Sequence, residues 1–514
     1  MQDPKAFVKF VKAARTACAL LLVTHLIPVH GEPVVACDAA GDSLACKCRY
    51  DYVSCESDDL TEVPTGLPNV TVVLELWGNK ITSVPRTAFV NLSRISIIQL
   101  DYNKISSIEV GAFDWQSGSL SQLWLKSNEL ETFEVGVFRN LTELRYLDLA
   151  DNMISSLSVG LFQGLPNLVS IQLSGNRISV LSLDIFKDLP SLRKLTLARN
   201  GIKDIDKILS ALPTNITYLD LNGNGFGNLR TAVFSGFPNL WWLELEANDM
   251  DSLPQNLFLG LDKLSLLHLD HNMLVELNRS SFGDHPSLKY LSFTNNSMVR
   301  IEHGFFSTFP KLRKIDLNAN DLSCLPPGIF QNLTALESLK LDDNRLDDLD
   351  ADLFRGLIHL RYIYLQENNI KSLPSTIFHG LKSLRVLYLH TNKLTVIDNG
   401  TFGDLPEVEY IYLENNPLTN ISCGMLPSEN VSRSLWQIEV DCTCEWKPVY
   451  DCPEFSWFSS IVTCSNPIRF RYNSIDEVSK DALTCAAPRI ACFNQIGTIV
   501  LSVLTLLSNV LIRN

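Results

Sequence analysis

Between residues 71 and 418 the chain alternates apolar and polar positions over short stretches, and each stretch ends at an asparagine. RYIYLQENNI (361–370) and EYIYLENNPL (409–418) are two copies of one such stretch, and RVLYLHTNKL (385–394) lies midway between them. In the pattern L-x-x-L-x-L-x-x-N-x-L the asparagine falls at Asn79, 103, 128, 152, 176, 200, 224, 248, 272, 296, 320, 344, 368, 392 and 416. Thirteen of the fourteen intervals are 24 residues and one is 25. A second column holds the same register: ten residues after the asparagine stands Phe89, 113, 138, 162, 186, 234, 258, 282, 306, 330, 354, 378 or 402. Among the first fourteen turns only that of Asn200 breaks it, with Ser210.

Period-two alternation over x-L-x-L-x predicts a short strand with one buried face. One such strand cannot bury its leucines. Turns stacked side by side at about 4.8 Å join them into a single parallel sheet with a continuous core. The asparagine sits where the chain leaves the strand, and there its amide can satisfy backbone groups that no ladder reaches. The phenylalanine column packs the outer side of the coil, and the crossovers should be right-handed. The expected fold is therefore α/β: a right-handed horseshoe-shaped solenoid of fifteen turns with a parallel concave sheet. LPTNITYLDLNGN (212–224), which follows the turn lacking its Phe, echoes the opening segment LPNVTVVLELWGN (67–79). This predicts an altered outer segment at 201–215, as a local helix or a change of curvature, with simple repeat drift as the equal alternative.

The 13 cysteines change the picture at the two ends. Four cluster in 37–55 and six in 423–485. Lys5, Lys9, Lys12 and Arg15 precede an apolar run, ACALLLVTHLIPV (17–29). That arrangement predicts a secretory signal over 1–31, with Gly31 or Ala36 as the cut site. In an oxidising compartment, clustered cysteines are read as disulfides, and no histidine stands at zinc-finger spacing near CKC or CTC. Ten Asn-x-Ser/Thr sites suit the same compartment as glycosylation acceptors: Asn69, Asn91, Asn140, Asn215, Asn278, Asn295, Asn332, Asn399, Asn420 and Asn430.

Repeat and flanks together resemble the extracellular leucine-rich repeat family of the 24-residue type, over residues 37–485. CDAAGDSLACKCRYDYVSC (37–55) followed by LTEVPTGLP (60–68) is similar to its N-terminal cap; CTC at 442–444 with Cys464 and Cys485 is similar to its C-terminal cap. The resemblance implies the pairs Cys37–Cys48, Cys46–Cys55, Cys442–Cys464 and Cys444–Cys485. Cys423 and Cys452 depart from the simplest cap and are paired with each other here. Caps of this kind cover the open ends of the sheet. They are shared by Toll-like receptors and by the Slit, Nogo-receptor and variable-lymphocyte-receptor groups. The resulting domains are 37–70 (N-terminal cap), 71–422 (fifteen repeats) and 423–485 (C-terminal cap).

IGTIVLSVLTLLSNVLI (496–512), with Ala486 and Ala487 before a short polar spacer, resembles a lipid-anchor signal. A GPI anchor is expected from 486–514, ahead of a short transmembrane helix or a secreted form. With either tail no cytoplasmic domain is expected, so a signalling co-receptor is the implied partner. Cys324 is left without a mate, and a half-buried, inert thiol is expected there.

Formal net charge is −14, which disfavours a nucleic-acid partner. The chemistry of the hollow is read from positions six, four and two before each asparagine, which are free of core packing. Near the C-terminal end these are Tyr362, Tyr364, Tyr388, Tyr410 and Tyr412; in the middle they include Tyr218, Asp220, Trp242, Glu244, Glu246, His268, Asp270 and Tyr290. Tyrosine is either a binding anchor or merely a residue that suits strands. The acidic and aromatic middle suggests a basic macromolecular ligand. No metal or cofactor is expected. No nucleophile elbow, HExxH or phosphate loop occurs, and His268 with Ser292 is the nearest approach to a dyad, so the chain is not expected to be an enzyme. The expected function is that of a cell-surface receptor or adhesion protein whose concave face binds a protein or glycan, with immune recognition and developmental guidance both open. The alternative is a secreted matrix or ligand-sequestering protein.

Overall fold

The computed structural model describes residues 46–56, 59–418, 437–441, 462–466, 471 and 475–478. Each repeat contributes one three-residue strand. These strands pair in sequence order, from Tyr52–Ser54 through Val73–Glu75 to Tyr410–Tyr412, and on to Gln437–Asp441 and Val462–Asn466. Together with Lys47–Arg49, which pairs antiparallel to Tyr52–Ser54, they make one sheet of 19 strands. The register is constant, so Leu219, Leu243, Leu267 and Leu291 stand side by side. Each of these leucines is fully buried, as are their equivalents along the coil. A single unbroken core follows from the period.

The asparagine column stitches each turn to the one before it. Asn272 Nδ2 donates to the carbonyls of Leu245 and Leu269 at 3.0 Å, and its Oδ1 accepts from the backbone N–H of Met250 at 3.1 Å. The same triad recurs from Asn103 to Asn416 except at Asn248, whose Nδ2 donates to the carbonyls of Leu221 and Glu246 and whose Oδ1 accepts from the Asn224 and Gly225 N–H groups. The residue just before each ladder asparagine lies in the left-handed region. Only three of these fifteen positions are glycine (Gly78, Gly175 and Gly223); Ala247 has φ 52° and Thr391 φ 56°. The bonds on either side outweigh the steric cost that an L side chain meets there.

On the outer side the phenylalanines form the expected spine. Phe234 and Phe258 stack at 6.2 Å, and Phe354 and Phe378 at 6.0 Å. At the missing position the chain makes a helix, Ile205–Ser210, that buries Ile205, Ile208 and Leu209 instead. Asp204 caps it by accepting from the Lys207 backbone N–H.

Cys46 and Cys55 form a disulfide, as the N-terminal cap implies. Cys48 and Cys464 are disulfide-bonded as well; their expected partners Cys37 and Cys442 lie outside the described residues. The same holds for Cys423, Cys444, Cys452, Cys485, Asn420, Asn430, the leader and the tail. Cys324 departs from expectation. It is free and exposed, because its column, four residues past the asparagine, faces solvent, as Ser83 does. No helix among the described residues is long and apolar enough to cross a membrane.

Candidate functional site

The strand positions not used by the core form one continuous concave wall. In its middle, register places Tyr218 beside Trp242, Asp220 beside Glu244, and Glu244 beside His268. Their rings touch in series: Tyr218–Trp242 at 5.0 Å, Trp242–His268 at 6.3 Å and His268–Tyr290 at 4.8 Å between centroids. The acids interleave with them. Trp242 Nε1 donates to Glu244 Oε1 at 2.5 Å, and His268 Nδ1 lies 3.4 Å from Glu244 Oε2 and 4.0 Å from Asp270 Oδ2. His271 Nε2 lies 3.6 Å from Glu246 Oε1. The eight central residues named from sequence are thus brought together.

Burial sets their electrostatics. The Asp220 carboxyl is pushed up to about 6, first by burial and then by the neighbouring charges of Glu244 and Glu246, against the backbone N–H of Asn222. Asp270 is raised for the same leading reason, although Ser292 Oγ and the Thr294 backbone N–H both donate to it. Burial also raises the Tyr218 and Tyr290 phenols. The Ser292 hydroxyl serves Asp270, not His268, so no dyad forms. Among the described residues no group of three or more His, Cys, Asp or Glu is placed to hold a metal ion.

Towards the C-terminal end Tyr364, Tyr388 and Tyr412 stack face to face at 4.7 Å, with interplanar angles of 11° and 2°. That distance is the strand spacing itself. Stacking consumes the ring faces, so the row presents edges and phenol groups to solvent. Tyr362 and Tyr410 flank it and are more than one-third exposed.

One group escaped the sequence reading. Trp124 and Tyr146 pack at 4.4 Å on adjacent strands, with Asp101 and Asp148 beside them. Tyr146 Oη donates to Asp148 Oδ2 at 3.0 Å. Burial, with the charge of Asp148 adding to it, pushes the Asp101 carboxyl up to about 7. These residues occupy the same three columns before Asn103, Asn128 and Asn152, so extending the column reading towards the N-terminus finds them.

The family model for "Leucine rich repeat" matches this chain over residues 70–115 and, in overlapping segments, 118–418, which is well over half of its length. The chain is a leucine-rich repeat protein. Zebrafish (Danio rerio) leucine-rich repeat-containing protein 3 is 38% identical over 89 residues, 17% of this chain and 34% of that protein. The acid labile subunit of the mouse insulin-like growth factor-binding protein complex is 38% identical over 77 residues, 13% of each chain. Bovine prolargin is 34% identical over 103 residues, 20% of this chain and 26% of prolargin. The match therefore spans about a third or less of these relatives' own lengths. Among solved structures, this leucine-rich repeat protein shares its fold with the Toll–Spatzle complex from Drosophila (TM-score 0.58, 18% identity, 85% of this chain and 72% of that one). It shares it also with the Leptospira interrogans protein LIC12759 (TM-score 0.56, 24% identity, 66% and 89%).

Proposed function

We propose that this leucine-rich repeat protein is an extracellular receptor or adhesion protein that holds a protein ligand against its concave face. The observation that carries the reading is the unbroken chain of ring contacts from Tyr218 through Trp242 and His268 to Tyr290, set on strands whose other face is the core. Rigid aromatic area with polar tips is the currency of protein interfaces, and a wall of it has no packing role in the solenoid. The Cys46–Cys55 disulfide supports an oxidising compartment. Attachment to the outer leaflet through a lipid anchor is part of the proposal. So is a role in immune recognition, with a transmembrane co-receptor to carry the signal.

Gln172 offers a clean test, because Gln172-Leu173-Ser174 becomes a glycosylation site on Gln172→Asn. Gln172 lies half-buried on the concave face between the two aromatic groups. Expressed through a eukaryotic secretory pathway, the glycan-bearing variant should be secreted normally and lose capture of its cell-surface partner. Undiminished capture sinks the concave reading. Release of the native protein from cells by phosphatidylinositol-specific phospholipase tests the anchor, and a protein found only in the medium favours the ligand-sequestering alternative.

A further inference from the structure

The acids in and beside the concave columns are not alike in how they are compensated. Asp151 has two cationic partners, Lys126 Nζ at 3.4 Å and Arg199 Nη2 at 3.1 Å. Asp316 has Lys340 Nζ at 3.1 Å and the Tyr290 hydroxyl at 2.7 Å. Between these two stretches the balance changes. Asp220, Glu244, Glu246 and Asp270 lie on three adjacent strands, and no lysine or arginine forms an ion pair with any of them among the described residues. The groups facing them are the imidazoles of His268 and His271, which carry charge only when protonated, the amide of Asn222, the Trp242 indole, and Lys194, whose charge reaches Asp220 from the next strand. Lys194 itself shows what the aromatic set receives: its ammonium stands 4.5 Å from the centroid of the Tyr218 ring.

Four carboxylates without a lysine or arginine ion pair among the described residues, in half-buried aromatic surroundings, are costly for the free protein. Asp220 makes that cost visible: burial raises it first, and the repulsion of Glu244 and Glu246 adds to it. A ligand cation removes it, gaining both charge pairing and a ring face. A metal ion fits less well, because the ring system separates the carboxylates and no metal-holding group is formed.

We propose that the middle of the concave face is the docking site for an arginine- or lysine-rich segment of a protein partner, with Asp220, Glu244, Glu246 and Asp270 pairing its cations and Tyr218, Trp242 and Tyr290 covering their apolar stems. This rests on the concave-face reading above and gives the ligand its chemistry. Acidification weakens the site. As pH falls, Asp220 takes up a proton near 6, and the site loses one of its four carboxylates.

The probe is a fluorescent Arg-Gly-Arg-Gly-Arg peptide, with a Glu-Gly-Glu-Gly-Glu counterpart, read by anisotropy against the full mature protein. The site variant is Glu244→Gln with Glu246→Gln, which keeps an acceptor for the Trp242 indole. The charge-matched control is Asp347→Asn with Asp348→Asn, the first half-buried and the second exposed, both outside these columns. The arginine peptide should bind and the glutamate peptide should not. The site variant should weaken binding about tenfold and the control less than about twofold. Moving from about pH 7.5 to about pH 5.5 should weaken binding several-fold in the wild type as Asp220 loses its charge. Absence of arginine-peptide binding, or equal loss in site variant and control, overturns the proposal. The native partner separates the two readings. If Gln172→Asn abolishes its capture while the site variant leaves it intact, the concave face stands and the cationic ligand falls. If Gln172→Asn leaves capture intact, the concave reading itself falls.

Discussion

A single carboxylate shows how the concave wall is tuned. Asp101 accepts from the Lys126 backbone N–H at 2.7 Å, yet burial and Asp148 still push it up to about 7. A carboxyl raised in the folded state binds its proton more tightly there than in the unfolded chain. Its ionisation therefore costs stability above about pH 7, and the cost vanishes as pH falls towards the unfolded value. Asp101→Asn keeps the acceptor for Lys126. It should stabilise the protein by about 1–2 kcal/mol near pH 8, after discount for partial exposure, and change little near pH 4. Thermal melts across that range check it, and an equal effect at both ends contradicts the assignment. At this scale the sequence was least informative. Cys324 was expected half-buried and is exposed, since one column's orientation depends on how tightly the outer segment closes. The left-handed residue before each asparagine was hidden too, because most of these positions are not glycine.

At the scale of elements, the strand, the asparagine turn and the phenylalanine spine were legible because each rests on a column repeated many times. The helix Ile205–Ser210 was legible for the opposite reason: one absent phenylalanine marks a segment that must fill its space another way. The tyrosine row was legible in position but not in use. Sequence puts Tyr364, Tyr388 and Tyr412 on one line; only their parallel stacking shows that the ring faces are already taken. The asparagine turn carries the sharpest stability claim. Asn272→Ala removes three donor contacts and leaves the Met250 and Asn248 N–H groups without their acceptor. It should cost about 1–3 kcal/mol, read as a lower denaturant midpoint. A loss no larger than that of an exposed polar-to-alanine change would show that water replaces the ladder.

For the whole molecule, the repeat fixes shape and leaves chemistry to the positions it does not need. The core columns are nearly uniform, while the concave columns run from Trp124, Tyr146 and two aspartates, through the uncompensated acids, to the stacked tyrosines. The last two of these groups were legible in the sequence and the first was not singled out, although all three share one numbering rule. What a linear reading could not supply is compensation. Whether Asp316 or Glu244 is paired depends on Lys340 reaching across a strand spacing and on no lysine or arginine among the described residues reaching the other. The most direct measurement of the central claim is hydroxyl-radical footprinting of the aromatic side chains, with and without the captured cell-surface partner. The account predicts that Tyr218 and Trp242 lose reactivity in the complex, while Trp115, exposed on the outer side, keeps its own. Protection of Trp115 with Tyr218 and Trp242 unchanged would contradict it.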